Sequence, residues 1–278
     1  MRTERAPRAS TALRSVEIIP EISFRGVSKT YRGARSDAPS TLALDSLDLD
    51  IAKGRIFSIV GPTGCGKSTV LNLIAGFETP STGSVEVEGV SVAAPNIDRA
   101  VVFQHPYLFP WMTVWENVVL GVKCHGKPKD EYGPKAARLL KAVGLIGFES
   151  HFPYQLSGGM QQRVQIARAL IGEPKVILMD EPFGALDAQT RLLMQRLLVE
   201  LWHEFQPTIF FITHDVAEAL YISDEVIVMT RRPGRVKLKL EVSEPKPRDL
   251  SFLSSPTFME LQKVVLDAVQ DEVDLSRK

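Results

Sequence analysis

Three things that this sequence has little of exclude several classes of protein. Cysteine occurs twice in 278 residues, at Cys65 and Cys124, so a disulfide-rich secreted domain is excluded and a reducing compartment is favoured. No apolar run approaches the ~18 to 20 residues that span a bilayer, so a role at a membrane requires a partner protein. Lys and Arg together number 33, and so do Asp and Glu, which gives no basis for bulk electrostatic binding to nucleic acid or anionic lipid.

Residues 1–15 are rich in arginine and contain one acid, Glu4. They lack the apolar segment of a secretory signal. Arginine and serine are also common in transit peptides, and that alternative stays open. We expect residues 1–20 to form a disordered basic tail. The arginines are Arg2, Arg5, Arg8 and Arg14.

The hydrophobic pattern predicts two kinds of strand. Leu47, Leu49 and Ile51 alternate with Asp48 and Asp50, which is typical of an antiparallel strand with one face in solvent. Other segments are wholly apolar, as in parallel strands that are covered on both faces. These segments are residues 56–60, 176–179, 209–212 and 226–229. The two patterns predict a parallel α/β core and an antiparallel β flap near the N-terminus.

Helical patterns separate the strands. Leu193, Leu197, Leu201 and Phe205 recur at every fourth position, with Met194, Leu198 and Trp202 beside them, which predicts a helix whose apolar stripe packs against the sheet. Residues 112–168 are typical of a mostly helical insertion with Gly and Pro breaks. Near the end of the chain, Ser255 before Pro256 predicts the start of a further helix.

Residues 61–69 fit the phosphate-loop motif G-x-x-x-x-G-K-[ST], between an apolar run and a helical pattern. Glycines let successive N–H groups point at phosphate oxygens, and the helix N-terminus adds partial positive charge. Lys67 then reaches the β- and γ-phosphates of a nucleotide, and the Ser68 hydroxyl ligates Mg²⁺. The predicted nucleotide-binding residues here are Gly61, Pro62, Thr63, Gly64, Cys65, Gly66, Lys67, Ser68 and Thr69.

Two further patterns suit phosphate chemistry. Asp180 and Glu181 follow the apolar run 176–179, where parallel strands present carboxylates to a ligand. A second glycine-rich turn, Ser157-Gly158-Gly159, opens a helix, and its cap and glycines allow close approach to an anion. A single chain therefore has two potential anion sites.

The phosphate loop together with residues 156–163 resembles the ATPase subunit of ABC (ATP-binding cassette) transporters, over roughly residues 22–242. The resemblance implies an α/β fold: a P-loop NTPase (RecA-like) core with an antiparallel β subdomain and a helical ABC subdomain at about residues 105–168. The implied domain boundaries are 21–242 for the ATPase domain and 243–278 for a C-terminal helical extension.

The resemblance also implies the roles of individual residues. Asp180 would hold Mg²⁺, with Ser68 and Gln104 as the other metal-site residues. Glu181 would polarise the attacking water, and His214 would contact the γ-phosphate. Gln104 would sense the metal and the water, so Glu181, His214 and Gln104 form the implied catalytic set.

Further residues would complete the nucleotide site. Tyr31 matches the aromatic residue that stacks on adenine. Two chains of the family pair head to tail, so that Ser157, Gly158 and Gly159 of each chain close on the ATP of the other. Asp187 matches the loop that crosses between the two sites.

Residues 108–118, 182–187 and 232–235 are similar to the import ATPases for nitrate, aliphatic sulfonates and taurine. In the family, the region after Gln104 faces the membrane subunit. Aromatic residues there would make good interface anchors, although packing in the core is equally consistent with the sequence. These aromatics are Tyr107, Phe109, Trp111 and Trp115.

The resemblance implies the energy-coupling ATPase of an importer for a small anionic or organic solute, at the cytoplasmic face of the inner membrane. The implied partners are a second copy of the chain, transmembrane permease subunits and, indirectly, a solute-binding protein, with no nucleic acid. One alternative is a soluble ABC ATPase that acts on DNA or ribosomes; the coiled-coil insertions and zinc cysteines common there are absent from the sequence. Another is a non-hydrolysing scaffold, which Glu181 and His214 argue against.

Overall fold

The computed structural model describes residues 19–33 and 39–275. The predicted basic tail therefore lies outside the described residues, apart from its last two positions. The strands are β1 (Ile22–Tyr31), β2 (Thr41–Ile51), β3 (Ile56–Val60), β4 (Thr82–Val87), β5 (Val90–Ser91), β6 (Arg99–Val102), β7 (Val176–Asp180), β8 (Thr208–Ile212), β9 (Glu225–Met229) and β10 (Val236–Glu241). The α-helices are α1 (Lys67–Ala75), α2 (Val114–Cys124), α3 (Lys129–Ala142), α4 (Gly158–Leu170), α5 (Ala188–Phe205), α6 (Val216–Ile222) and α7 (Pro256–Leu275).

Two sheets enclose helix α1. The smaller sheet is antiparallel with the order β2-β1-β4-β5. Leu47, Leu49 and Ile51 point into its core and Asp48 and Asp50 into solvent, as the alternation predicts. Their apolar face shares one hydrophobic cluster with α1 and with one face of the larger sheet. The phosphate-loop helix is therefore held between the two sheets.

The larger sheet has the order β10-β9-β3-β8-β7-β6 and is parallel except for the edge strand β10. The wholly apolar runs form β3, β7, β8 and β9 and are buried, so the prediction of parallel strands covered on both faces is confirmed. Because these strands run in the same direction, the residues that follow β3, β6, β7 and β8 meet at one edge of the sheet.

Helix α5 packs against the core along its predicted apolar stripe, except at Leu193. Leu193 is 53% exposed, whereas Met194 and Leu198 are buried against the core. Leu201 is buried as expected. Both sets of apolar residues satisfy the helical repeat, so the pattern alone could not decide which of them faces the sheet.

Helix α2 fixes the aromatic segment that precedes it. Thr113 and Glu116 form a capping box at its start. Asn117 is fully buried; its Oδ1 accepts from Phe109 N (2.8 Å), and its Nδ2 donates to the carbonyl oxygens of Phe109 (3.2 Å), Met112 (3.1 Å) and Thr113 (3.0 Å). One buried amide thus fastens the segment to the first turn of the helix.

A buried arginine holds the segment after β10 against α6. Arg248 donates from Nη1 to Leu220 O (3.0 Å), Tyr221 O (2.9 Å) and Ser223 O (2.8 Å), which satisfies carbonyls at the C-terminal end of α6. It also donates to the carbonyl oxygens of Val242 and Glu244. These contacts fix the connection to α7.

Helix α7 begins at Pro256, where the Ser255 hydroxyl accepts from Phe258 N (3.1 Å). The predicted helix start is confirmed. Within residues 19–33 and 39–275, no helix is both long and apolar enough to cross a bilayer.

Replacing Arg248 with Met should lower the free energy of unfolding by about 3 kcal/mol, because buried carbonyl groups lose a charged donor. Denaturant titration followed by tryptophan fluorescence measures the loss. Arg196→Met, at an exposed position on α5, is the matched control and should change stability by less than about 0.5 kcal/mol. Equal losses in the two variants would contradict the capping role of Arg248.

Candidate functional site

The phosphate loop leaves the end of β3 and enters α1 through glycines that no other residue could replace without strain. Gly64 and Gly66 have φ angles of 77° and 107°. A Cβ atom at Gly66, the residue that caps α1, would lie 2.8 Å from Leu44 Cδ2. The left-handed backbone geometry at both positions therefore favours glycine at this turn.

Lys67 lies inside the curl of this loop. Its side-chain nitrogen donates to Gly61 O (2.8 Å) and Pro62 O (3.1 Å). The first turn of α1 contains no acidic side chain that would cancel the positive potential of its N–H groups. A fixed ammonium beside a helix N-terminus suits a phosphate chain.

Asp180 ends β7 next to the phosphate loop, where the Ser68 side chain interacts with its carboxylate. Burial raises the pKa of Asp180 and the Glu181 charge adds to the increase, whereas Ser68 and Lys67 oppose it. The hydroxyl and the carboxylate are hard oxygen ligands of the kind that Mg²⁺ prefers. This pair of residues therefore fits the predicted metal site.

Glu181 and His214 face each other across the ends of β7 and β8. His214 Nδ1 lies 3.2 Å from Glu181 Oε2. Glu181 has a φ of 46°, unusual for a non-glycine residue, and its N–H donates to Ile212 O (3.0 Å). Its backbone is thus tied to the strand that precedes His214.

A buried hydrogen-bond network includes Thr213, the residue that precedes His214. Thr213 Oγ1 donates to Glu218 Oε2 and Gln195 Nε2 donates to Glu218 Oε1 (3.0 Å). Burial raises the pKa of Glu218, and the two hydrogen bonds lower it. This network cannot be predicted from the sequence, because a Glu within an apolar helix carries no sign of its hydrogen-bond partners.

Gln104 follows β6 and lies close to the turn after Glu181. A Cβ atom on Gly184 would be 3.3 Å from Gln104 Nε2 and 3.4 Å from Glu181 O. The structure therefore brings Gln104 to the same edge as Glu181, while its role there stays a prediction.

Tyr31 ends β1 beside the phosphate loop. Its hydroxyl is 3.5 Å from Thr69 Oγ1, and Lys29 Nζ lies 5.0 Å from the ring centroid. The cavity at this place is lined by Tyr31, phosphate-loop residues and Glu181, and also by residues that the sequence analysis missed. These additional residues are Thr41, Ala43 and Arg232.

The second glycine-rich turn lies elsewhere in the molecule. Ser157 caps α4 by accepting from Met160 N (3.4 Å), as predicted. A Cβ atom on Gly159 would be 2.9 Å from Thr190 Cγ2, so the turn touches the start of α5. Among the described residues, Ser157, Gly158 and Gly159 do not line the cavity at the phosphate loop.

Asp187 caps α5 by accepting from Gln189 N (3.1 Å) and Thr190 N (3.0 Å). Hydrogen bonds from Thr190 lower the pKa of this carboxyl group. Arg191, which the sequence analysis missed, bridges Leu186 O (3.1 Å) and Asp215 Oδ2 (3.4 Å). The loop before α5 is thereby connected to the residue that follows His214.

Comparisons with known proteins agree with this architecture. The family described as ABC transporter matches residues 44–184. A taurine import ATP-binding protein of Jannaschia sp. is 45% identical over 244 residues, which cover 85% of this chain and 91% of that protein. A nitrate import ATP-binding protein of Synechocystis sp. is 45% identical over 225 residues, which cover 79% of this chain and 85% of that protein.

A solved structure of an ATP-binding cassette, a dimer in a post-hydrolysis state bound to ADP and Pi, superposes with a TM-score of 0.68 at 34% identity. The match covers 81% of this chain and all of that one. The resemblance and fold class predicted from the sequence are confirmed, and the chain belongs to the ABC transporter family, whose ATP-binding cassette it contains.

Proposed function

We propose that this protein is the ATP-hydrolysing, energy-coupling subunit of an ABC importer. One observation carries the proposal: Lys67, the Ser68–Asp180 pair and the Glu181–His214 pair occupy one edge of the parallel sheet. The edge thus combines a phosphate cradle, oxygen ligands for a metal and a polar pair that can orient water. The names of the taurine and nitrate relatives favour an importer over the soluble alternative.

Nucleotide binding would use the phosphate loop for the phosphate chain and Tyr31 for the adenine ring. Ser68, Asp180 and Gln104 would hold Mg²⁺, which neutralises charge on the β- and γ-phosphates when bound. The support is the interaction between Ser68 and Asp180, together with the position of Gln104 near Glu181.

Hydrolysis would depend mainly on positioning. Glu181 would orient water toward the γ-phosphate, and His214, held 3.2 Å from it, would contact the transferred group. Fixed donors in a partly dehydrated site stabilise the transition state without reorganisation at the moment of reaction.

A second copy of the chain would complete the site. Ser157, Gly158 and Gly159 form a capped helix N-terminus, yet within the described part of the chain they lie away from the phosphate-loop cavity. Head-to-tail pairing would place this turn, and Asp187 near it, on the nucleotide of the other copy. The solved cassette, a dimer bound to ADP and Pi, supports the pairing of two copies.

A permease would dock beside α2. Tyr107 and Trp111 are 66% and 69% exposed, and Phe109 is at the surface between them, whereas Trp115 packs against the core. Arg168 donates to Pro106 O and Tyr107 O at one end of this surface. Asn117 binds the backbone of Phe109 and Met112 at the other end, so both ends are fixed. The docked protein would lie at the cytoplasmic face of the membrane and serve uptake of a small anionic or organic solute that a separate binding protein supplies.

Glu181→Gln should retain ATP binding and slow hydrolysis by at least about 100-fold. A dimer should accumulate with ATP·Mg²⁺, because hydrolysis no longer separates the ATP-bound copies. Size-exclusion chromatography with light scattering measures the dimer.

The control is the double variant Glu181→Gln, Ser157→Asp. Aspartate still caps α4 but opposes the phosphate charge, so this protein should stay monomeric with unchanged monomer affinity for ATP. A monomer in Glu181→Gln, or a dimer that survives Ser157→Asp, would reject the head-to-tail site.

Replacing Tyr107 and Trp111 together with Ala should reduce co-purification with the co-expressed permease by about tenfold or more, because exposed aromatic anchors carry much of the energy of an interface. ATP affinity should not change. Phe77→Ala removes an aromatic that is 51% exposed elsewhere and should leave co-purification intact. Undiminished recovery of the double variant would exclude this surface.

A further inference from the structure

The loop between β9 and β10, residues 230–235, is built into the wall of the nucleotide cavity. Gly234 N donates to Ala43 O (2.8 Å), and Gly234 O accepts from Asp45 N (3.2 Å). A Cβ atom on Gly234 would lie 2.2 Å from Cys65 O. The β9–β10 loop therefore packs against β2 and the phosphate loop, with no room for a side chain between them.

The loop is also closed on itself. Thr230 N donates to Arg235 O (2.9 Å), and Thr230 Oγ1 accepts from Arg235 N (2.9 Å) and donates to Pro233 O (3.0 Å). These bonds join the two ends of the turn, so its central residues have a defined position.

Helix α7 holds the loop from the outside. Glu272 is 6% exposed, and its Oε2 accepts from Arg231 N (2.9 Å). Its Oε1 pairs with Lys237 Nζ (2.9 Å). The buried carboxylate of Glu272 therefore connects α7 to the backbone of this loop and to Lys237 on β10.

Arg232 is the side chain that this framework presents to the cavity. It lines the cavity together with Lys67, Ser68 and Glu181, and its guanidinium has no hydrogen bond or ion pair with any residue in the described ranges. Lys67 and Arg232 are the cationic side chains among the residues that line this cavity. An unpaired guanidinium presents up to five donors, and these match phosphate oxygens.

We propose that Arg232 binds a phosphate oxygen of the nucleotide and that α7 positions it through the bond from Arg231 N to Glu272. This inference rests on the proposed function, because it adds a contact to the same site. It gives residues 232–235, which the sequence analysis linked only to one branch of the family, a physical role. It also connects α7 to nucleotide affinity.

The test is equilibrium titration of the full chain with Mg²⁺ and fluorescent ADP or GDP, neither of which drives hydrolysis. Arg232→Ala should weaken both nucleotides about tenfold, and Arg232→Lys should recover part of the loss because a point charge remains. Arg196→Ala removes the same charge from an exposed site on α5 and should change neither affinity.

The outcomes are separable. If Arg232→Ala binds both nucleotides with wild-type affinity, the proposal is overturned. It is also overturned if the variant loses affinity for ADP without an equal loss for GDP, because that result would indicate a contact with the base. Failure of the wild type to bind, or full affinity in Lys67→Ala, would reject the proposed function instead.

Glu272 is tested as a positioning residue in the same assay. Glu272→Ala should weaken ADP about threefold to fivefold, whereas Glu272→Gln keeps an acceptor for Arg231 N and should bind nearly as the wild type does. In the Arg232→Ala background, Glu272→Ala should cost no further affinity. An equal loss in both backgrounds would show that Glu272 acts without Arg232 and would overturn its positioning role.

Discussion

Parallel pairing of β3 with β8 and of β8 with β7 is the constraint on which the site depends. Neighbouring strands in a sheet are about 4.8 Å apart, and their shared direction brings the residues after each strand to one edge. The phosphate loop, Asp180 with Glu181, and His214 come from sequence positions far apart. Pairing of the backbone, and not direct bonding among these side chains, determines their mutual distances.

Much of this arrangement could be predicted from the sequence, because it depends on local patterns. Apolar runs predicted the buried strands, and the phosphate loop was recognisable from its glycines and Lys67. Leu193 shows where periodicity fails, since adjacent apolar faces of α5 fit the repeat equally well. Thr41, Ala43 and Arg232 could not be assigned to the cavity, because only the pairing of β2 with distant segments brings them there.

The two glycine-rich turns of the chain differ in the groups that surround them. The phosphate loop has a cation, a hydroxyl and a carboxylate within reach, whereas the turn at Ser157 offers little beyond a capped helix end. A site that lacks half of its ligands binds weakly alone and strongly when a complementary surface closes on it. This asymmetry is the structural reason for the proposal that a second copy completes the nucleotide site.

The four hydrogen bonds of Asn117 have a mechanical consequence. They join the segment that contains Trp111 to helix α2, so the segment cannot bend easily relative to the helix. A force applied at Trp111 would then move helix α2 together with the segment, because the segment does not bend relative to the helix. If the proposed permease docks at Trp111, the buried amide would stiffen the connection between that partner and helix α2.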